Sequence, residues 1–261
     1  MRKSGVLMHI TSLPGNYGIG SMGKNAYAFV DFLKAAGQSL WQILPLSPTG
    51  FGDSPYQSCS SYAGNPYLID LDTLVQEGFL LPGEPEEITW SYNGRVDYGI
   101  QYNCRTPLLR KAYARFRGGE EFEAFRSANS AWLSDFCLFL ALKSKTGGKP
   151  WYEWEDALKY RQADAIWNAR QELQDEIRFY AFVQFLFFPS GMLCTSMPTT
   201  TASPSSAMCL SMFLWTAWMC GLTPSCSSWM RPWHLPLWPD APRITSPRMA
   251  SSGVTLCTAT M

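Results

Sequence analysis

Only two histidines, His9 and His234, occur in this 261-residue chain, and its eight cysteines include no Cys-x-x-Cys pair and no Cys/His spacing that suits zinc. That shortage offers no metal centre and no regular disulfide framework, so a reducing cytoplasm is the simplest setting. An excess of one charge is missing too. Lys and Arg number 21, as do Asp and Glu, so nothing marks nucleic acid or an acidic surface as a partner. No secretory leader is expected, because Met1-Arg2-Lys3 leads into a short strand-like run that soon meets polar residues and Pro14. The Gly-x-Ser-x-Gly elbow of serine hydrolases does not occur, and no carboxylate pair stands out as general acid and nucleophile.

A sharper absence begins at residue 189. From Pro189 to Met261, 73 residues contain no Lys, Glu, Asn, Gln or Tyr, and charge falls to Arg231, Asp240, Arg243 and Arg248. The same stretch holds five of the eight Cys, eight of the eleven Met and five of the eleven Trp, without helical or strand period. Disordered segments are poor in Trp, Met and Cys, which argues against a linker. The apolar run Ala207–Leu222 raises a membrane tether as one reading, but it is shorter than the roughly 20 residues needed to span and lacks basic flanks.

The genetic code favours a third reading, translation out of frame. Met and Trp each have one codon, ending in G. When the last base of one codon is joined to the first two of the next, Met208-Cys209 and Met212-Phe213 force Val, and Trp215-Thr216 and Trp218-Met219 force Asp. The unforced positions permit GDVPIYVPLDSVDVWAN across Ser206–Thr223, a buried-strand pattern followed by an acidic turn. Further on the same frame permits GCPPDYF and GQLWGNPLY. The slip is placed near Phe188–Ser190.

The part before the break reads as α/β. Gly5–Thr11 is a short apolar strand. Lys24–Ala36 puts Ala26, Phe29, Val30, Leu33 and Ala36 on one helical face and stops at Gly37. Leu40–Leu46 is the next strand, ended by Pro45 and Pro48. Strand, helix and strand at this spacing make a parallel unit. After a Gly-, Pro- and Glu-rich loop, helices are expected from the Thr106-Pro107 cap toward Arg117, over Ser127–Lys143, and over Ala163–Phe187.

Between the second strand and those helices lies GFGDSPYQSCSSYAGNPYLID, residues 50–70. Its Gly, Pro, Ser and Tyr content describes a rigid polar loop with exposed rings. Such a loop suits a flat, hydroxyl-rich ligand, with Tyr faces against a sugar ring and Ser, Asn and Asp on its hydroxyls. An ordinary well-capped loop is the plainer alternative. Gly18-Ile19-Gly20-Ser21-Met22-Gly23 fits the dinucleotide pattern Gly-x-Gly-x-x-Gly but is a decoy. Its connection from the strand is too long, and the next strand ends at Leu44-Pro45-Leu46 with no acid for a ribose. His9, among apolar neighbours, is expected to be a satisfied core histidine.

The blocks RKSGVLMHITSLPGNYGIGSMG and LWQILPLSPTGFGDSPYQSCSSYAGNPYLIDL, with Asp97-Tyr98-Gly99 and Trp151–Trp154, resemble the N-terminal part of 4-α-glucanotransferases, the amylomaltase or disproportionating enzymes of the α-amylase clan. The resemblance runs from Arg2 to about Phe188, and the hidden frame extends it. It implies a (β/α)8 barrel with a helical insertion, here incomplete. The first β/α units would occupy residues 1–75, a mainly helical insertion 76–161, a helix returning to the barrel 162–188, and an out-of-frame tail without native fold 189–261. It also implies retaining transfer of α-1,4-glucan segments between maltodextrins, without metal or organic cofactor. Ser54 and Tyr56 match positions that contact the donor-side sugar, and Phe51 and Tyr98 match aromatics of an outer glucan groove. The family's nucleophile and acid/base motifs, of the RIDHFRG and GEDLG kind, do not occur, so the chain contributes no catalytic residue. It is expected to be inactive and poorly folded by itself. A non-catalytic α-glucan-binding fragment is the alternative.

Overall fold

The computed structural model describes residues 4–50, 52–91 and 94–195, with backbone alone from 189 to 195. Phe51, the run 207–222 and nearly all of the tail expected to be out of frame therefore lie outside the described residues.

Strand β1, Gly5–Leu7, pairs in parallel with β2, Leu40–Gln42, in the register Val6 opposite Trp41. The crossover is helix α1, Lys24–Ala35. It buries Ala26 and Leu33 and sets Phe29 edge-on to Trp41 at 5.0 Å. Its end is built as expected: Gly37 takes φ +67°, Gly37 N–H donates to Lys34 O at 3.0 Å, and Gln38 N–H donates to Leu33 O at 2.9 Å. A left-handed residue at this point lets two otherwise orphaned carbonyls find donors. Both strands are shorter than their apolar runs. The chain after Leu7 turns into a 3-10 turn over Ile10–Ser12, and after Gln42 it enters the Pro45–Pro48 segment, where prolines have no N–H for a ladder.

The rest is helical. Helix α2 is Leu71–Gln76, α3 Tyr98–Arg115, α4 Glu120–Ala128, α5 Ser130–Lys145, α6 Asp156–Lys159, α7 Ala163–Glu172 and α8 Gln174–Thr195. The described part is thus mixed α/β and mostly helical, with a two-stranded sheet. Three expectations change here. Helix α3 begins eight residues before Thr106-Pro107, at the N-cap Asp97, whose carboxylate accepts from Ile100 N–H at 3.0 Å. An interior proline costs about 3 kcal/mol. Helix α3 tolerates Pro107 because buried Gln101, Arg105, Leu108, Leu109 and Ala112 pack it on both sides of that residue. The helix expected from Ser127 instead breaks at Asn129, which ends α4 and starts α5. The long helix from Ala163 breaks at Leu173.

The core gathers around α8. Phe179, Phe182 and Phe187 are fully buried, and Phe116 packs its ring 4.5 Å from Phe182 and 5.0 Å from Phe122. Phe136 and Leu133 of α5 close one side, and Leu108, Leu109 and Ala112 of α3 another. A smaller cluster joins Leu138, Phe139 and Leu142 of α5 to Trp154 and Ala169. A charged clamp ties the turn before α3 to its end. Glu84 accepts two hydrogen bonds from Arg115 at 2.9 Å and one from Leu81 N–H at 2.8 Å.

His9 departs from the satisfied core histidine. It is half-buried, its Nδ1 has no hydrogen-bond partner, and burial lowers its pKa to about 4. Glu84 shifts downward for another reason, since its Arg115 partner holds the carboxyl at about 2. Both folded values lie below the unfolded ones, so both contributions are present at neutral pH and are lost on acidification. His9 acts between about 6.5 and 4, and Glu84 between about 4.5 and 2. The thermal midpoint should fall in two stages from pH 7 to pH 3, and His9→Phe should flatten the upper stage only. A midpoint unchanged between pH 7 and pH 5 in the parent chain would refute the role of His9.

Candidate functional site

The loop over residues 50–70 is tied down by hydrogen bonds, and several of its polar side chains are engaged by the protein itself. Ser58 Oγ donates to Ser60 O at 2.7 Å, and Ser60 Oγ accepts from the N–H groups of Tyr62 and Ala63 at 3.3 and 3.2 Å. Asn65 caps the turn over Pro66–Leu68 by accepting from Tyr67 N–H at 3.0 Å. Asp70 caps α2, accepting from Thr73 N–H, Thr73 Oγ1 and Ser21 Oγ at 3.0, 2.9 and 2.6 Å. The expectation that loop Ser, Asn and Asp side chains serve a ligand is therefore narrowed at Ser58, Ser60, Asn65 and Asp70, because the first three pair the loop's own backbone and Asp70 is engaged by Thr73 and Ser21.

Two distant residues fix the loop from behind. Gln184 of α8 accepts from Gly64 N–H at 2.7 Å and donates to Gly64 O at 3.1 Å. Arg105 of α3, fully buried, donates to the carbonyls of Tyr67 and Ile69. Desolvation lowers the Arg105 guanidinium to about 10, which leaves it charged at neutral pH, and the Asp70 carboxylate opposes that shift.

The residues left facing outward lie at the front. The tip is a tight reversal, with Thr49 bridged to Ser58 and Gly50 N–H donating to Gln57 O at 2.9 Å. Ser54 is half-buried and its Oγ accepts from Tyr56 N–H at 3.3 Å, while Tyr56 is 47% exposed. Asp53, beside Ser54, takes φ +57°, a left-handed conformation that an aspartate tolerates better than most residues. Tyr98, half-buried at the start of α3, sets its ring 6.2 Å from Tyr67. Burial, and then the Asp53 carboxylate, push the Tyr67 phenol up to about 12. Asp53, Tyr67, Tyr98 and the exposed Tyr102 thus form one acidic, aromatic corner at the loop's flank. Sequence reasoning did not single out Asp53, Tyr67 or Tyr102. The i,i+4 spacing of Tyr98 and Tyr102 would have pointed to that corner once α3 was known to start at Tyr98.

The glycines of the dinucleotide-like pattern serve packing. A side chain at Gly20 would overlap Ile10 O, and one at Gly23 would overlap the Asp70 carboxylate. A carboxylate at the N-terminus of α1 occupies the place a phosphate would need, so the decoy reading stands.

Comparison with known proteins gives a consistent picture. A profile of the family described as 4-alpha-glucanotransferase matches residues 8–193. The 4-alpha-glucanotransferase of Thermus thermophilus is 47% identical over 196 residues, which are 72% of this chain and 38% of that protein. The one from Clostridium butyricum is 45% identical over 184 residues. Among solved structures, amylomaltase from Streptococcus agalactiae in complex with acarbose superposes with TM-score 0.71 at 42% identity, over 75% of this chain and 40% of that one. The amylomaltase of Corynebacterium glutamicum, at 17% identity and TM-score 0.52, shares the fold. The chain spans less than two fifths of the length of the curated relatives it matches. The family match ends within five residues of the compositional break after Phe188.

Proposed function

The chain belongs to the 4-alpha-glucanotransferase family, and on that premise we propose that it is the N-terminal portion of such an enzyme, holding glucan-binding elements but none of the catalytic carboxylates. The observation that carries the reading is the family match over residues 8–193, which includes the whole of the loop described above. The complete reaction is transfer of an α-1,4-glucan segment with retention, through a glucosyl-enzyme formed on one carboxylate and assisted by another. The matched residues supply positioning only. Ser54 and Tyr56 contact the donor-side glucose, and Tyr98, with Phe51, lines an outer glucan groove. The ligands are maltodextrins or fragments of starch or glycogen, in the cytoplasm. Among the described residues no helix is long and apolar enough to cross a membrane.

In this reading β1, α1 and β2 are the first units of a (β/α)8 barrel within residues 1–75. Residues 76–161 are a helical insertion, and 162–188 lead back to the barrel. Residues 189–261 are an out-of-frame tail. The shifted frame supports that boundary, because it also permits QWDAL across Pro189–Cys194, a helix-compatible run in place of Pro189-Ser190-Gly191. Accurate sequencing of codons 180–200 tests it. A gained or lost base is the expected result, and an intact printed frame removes the reading.

Activity and binding separate the enzyme reading from the alternative of a glucan-binding fragment. The 261-residue chain should release no glucose from maltotriose, and turnover by the purified chain would sink the claim that its catalytic groups are missing. Maltoheptaose should change its tryptophan fluorescence in a saturable way. Tyr56→Ala should weaken that binding by roughly 2- to 10-fold, the range of one aromatic contact worth about 0.5–1.5 kcal/mol. Equal affinities would remove Tyr56 from the site.

A further inference from the structure

Two polar side chains on one face of α3 are each left with one buried atom to satisfy. Gln101 and Arg105 stand about one helical turn apart, and each is 1% exposed. Each reaches distant backbone. Gln101 Nε2 donates to Tyr17 O at 2.6 Å, and Arg105 Nη2 donates to Tyr67 O at 3.0 Å and to Ile69 O. Each also keeps one buried atom that meets no hydrogen-bond partner among the described residues, the acceptor Oε1 of Gln101 and the donor Nε of Arg105. Buried polar atoms are as a rule paired, and internal water serves where protein groups supply no partner. The two atoms are complementary, yet they do not bond each other. Turning the Gln101 amide over is no remedy, because it would set Oε1 against Tyr17 O, acceptor against acceptor. Long helical side chains lean toward the N-terminus, so the Arg105 stem lies over the turn that carries Gln101.

We propose that α3 holds one internal water between Gln101 Oε1 and Arg105 Nε, donating to the first and accepting from the second. The chemistry of the pair selects this ligand. A metal cation is repelled by the guanidinium. An anion meets the amide oxygen and the Asp70 carboxylate, whose charge acts on Arg105. A sugar hydroxyl both donates and accepts, but the two side chains are closed to solvent, which excludes a group carried on a larger molecule. Water has both functions, fits an enclosed site, and finds here the two partners that such a molecule needs. It completes a polar seam through three segments: Tyr17 after β1, Tyr67–Ile69 at the end of the candidate loop, and α3 between them. The seam stands whether or not the chain binds glucan, so its test is separate from that of the functional reading.

The test is a water-selective nuclear Overhauser measurement on the full 261-residue chain, read at the Nε proton of Arg105. Arg105→Lys lacks that proton and so assigns its signal. The expected result is a cross-peak to water with the sign of a bound, long-lived molecule, opposite to that of proton exchange with bulk solvent. Gln101→Met keeps the volume but removes the acceptor. It should weaken the cross-peak roughly 5-fold or more, because a single partner does not hold a buried water. A cross-peak of unchanged strength in that variant would mean that the water does not bridge the pair, and overturns the proposal. An Nε proton without water contact in the parent overturns it too. So does a hydrogen-bond coupling from this proton to the Gln101 side chain, since the pair would then bond directly. Where either variant fails to fold, a crystal structure of the parent chain decides. Density within hydrogen-bond distance of both atoms upholds the water, and a direct contact without such density removes it.

Discussion

Gly64→Ala is expected to lower the thermal midpoint of the chain by about 10 °C. The position has ordinary backbone angles, so the penalty is one of space. A Cβ at residue 64 would lie inside the Phe187 ring, which is fully buried on α8. Neither neighbour can yield. Gly64 is tied by both of its peptide groups to Gln184, and the Phe187 ring sits in an interior packed as densely as a crystal. Overpacking of this kind costs about 1–3 kcal/mol, and a lost pair of buried hydrogen bonds adds about 1 kcal/mol or more. A domain of this size loses about 2–4 °C per kcal/mol, which gives the figure above. Phe187→Ala made together with Gly64→Ala should cost less than the two single changes added, because it removes the ring atoms that the new methyl group meets. Calorimetry decides the matter. A single variant within 2 °C of the parent, or a double variant lower than the sum of the two, would mean that the loop moves freely against α8.

Arg105→Ala is expected to be at least as damaging, by about 3–5 kcal/mol, the cost typical of removing one partner from a buried charged network. Three losses combine. The carbonyls of Tyr67 and Ile69 lose their donor, the buried Asp70 carboxylate loses a nearby positive charge, and the largest fully buried side chain of the core leaves a cavity. Against this stands one gain, since the depressed pKa shows that burial of the guanidinium is itself costly. The gain is the smaller quantity, because an unmet buried carbonyl costs about 1–3 kcal/mol and there are two. Arg105→Met separates the contributions. It refills the cavity but leaves both carbonyls unmet, so it should fall between the parent and the alanine variant in urea unfolding. Equal stability of the methionine variant and the parent would mean that packing alone matters at this site. Both alanine variants should also broaden the maltoheptaose titration, because they release the loop that carries Tyr56.

How far the chain could be read without coordinates differs from element to element. Helix α1 was legible because its apolar face, its length and the glycine after it all agree. The parallel pairing of β1 and β2 followed from the helix between them. The start of α3 was not legible. Thr106-Pro107 has the form of a helix start, and only the burial of Gln101 and Arg105, which the sequence does not display, carries the helix through it. The break at Leu173 has no glycine or proline to announce it. At the site, Tyr56 and Tyr98 came from the family resemblance. The corner of Asp53, Tyr67 and Tyr102 depends on how the loop turns back onto α3, which is long-range information. The polar loop residues were misjudged in a regular way. Composition counts hydroxyls and amides, but only structure shows which of them were needed to pair the loop's own backbone.

The pairing of Gly64 with Gln184 joins residues 120 positions apart. It therefore has a place in time as well as in space. At a synthesis rate of about 5–20 residues per second, the loop leaves the ribosome roughly 6–24 s before its clamp exists. During that interval Arg105 is the one distant anchor that the loop can have. A nascent chain halted before residue 184 is expected to be cut by protease within the loop faster than the released chain. The reach of the last described helix sets the moment at which the loop acquires its second distant anchor.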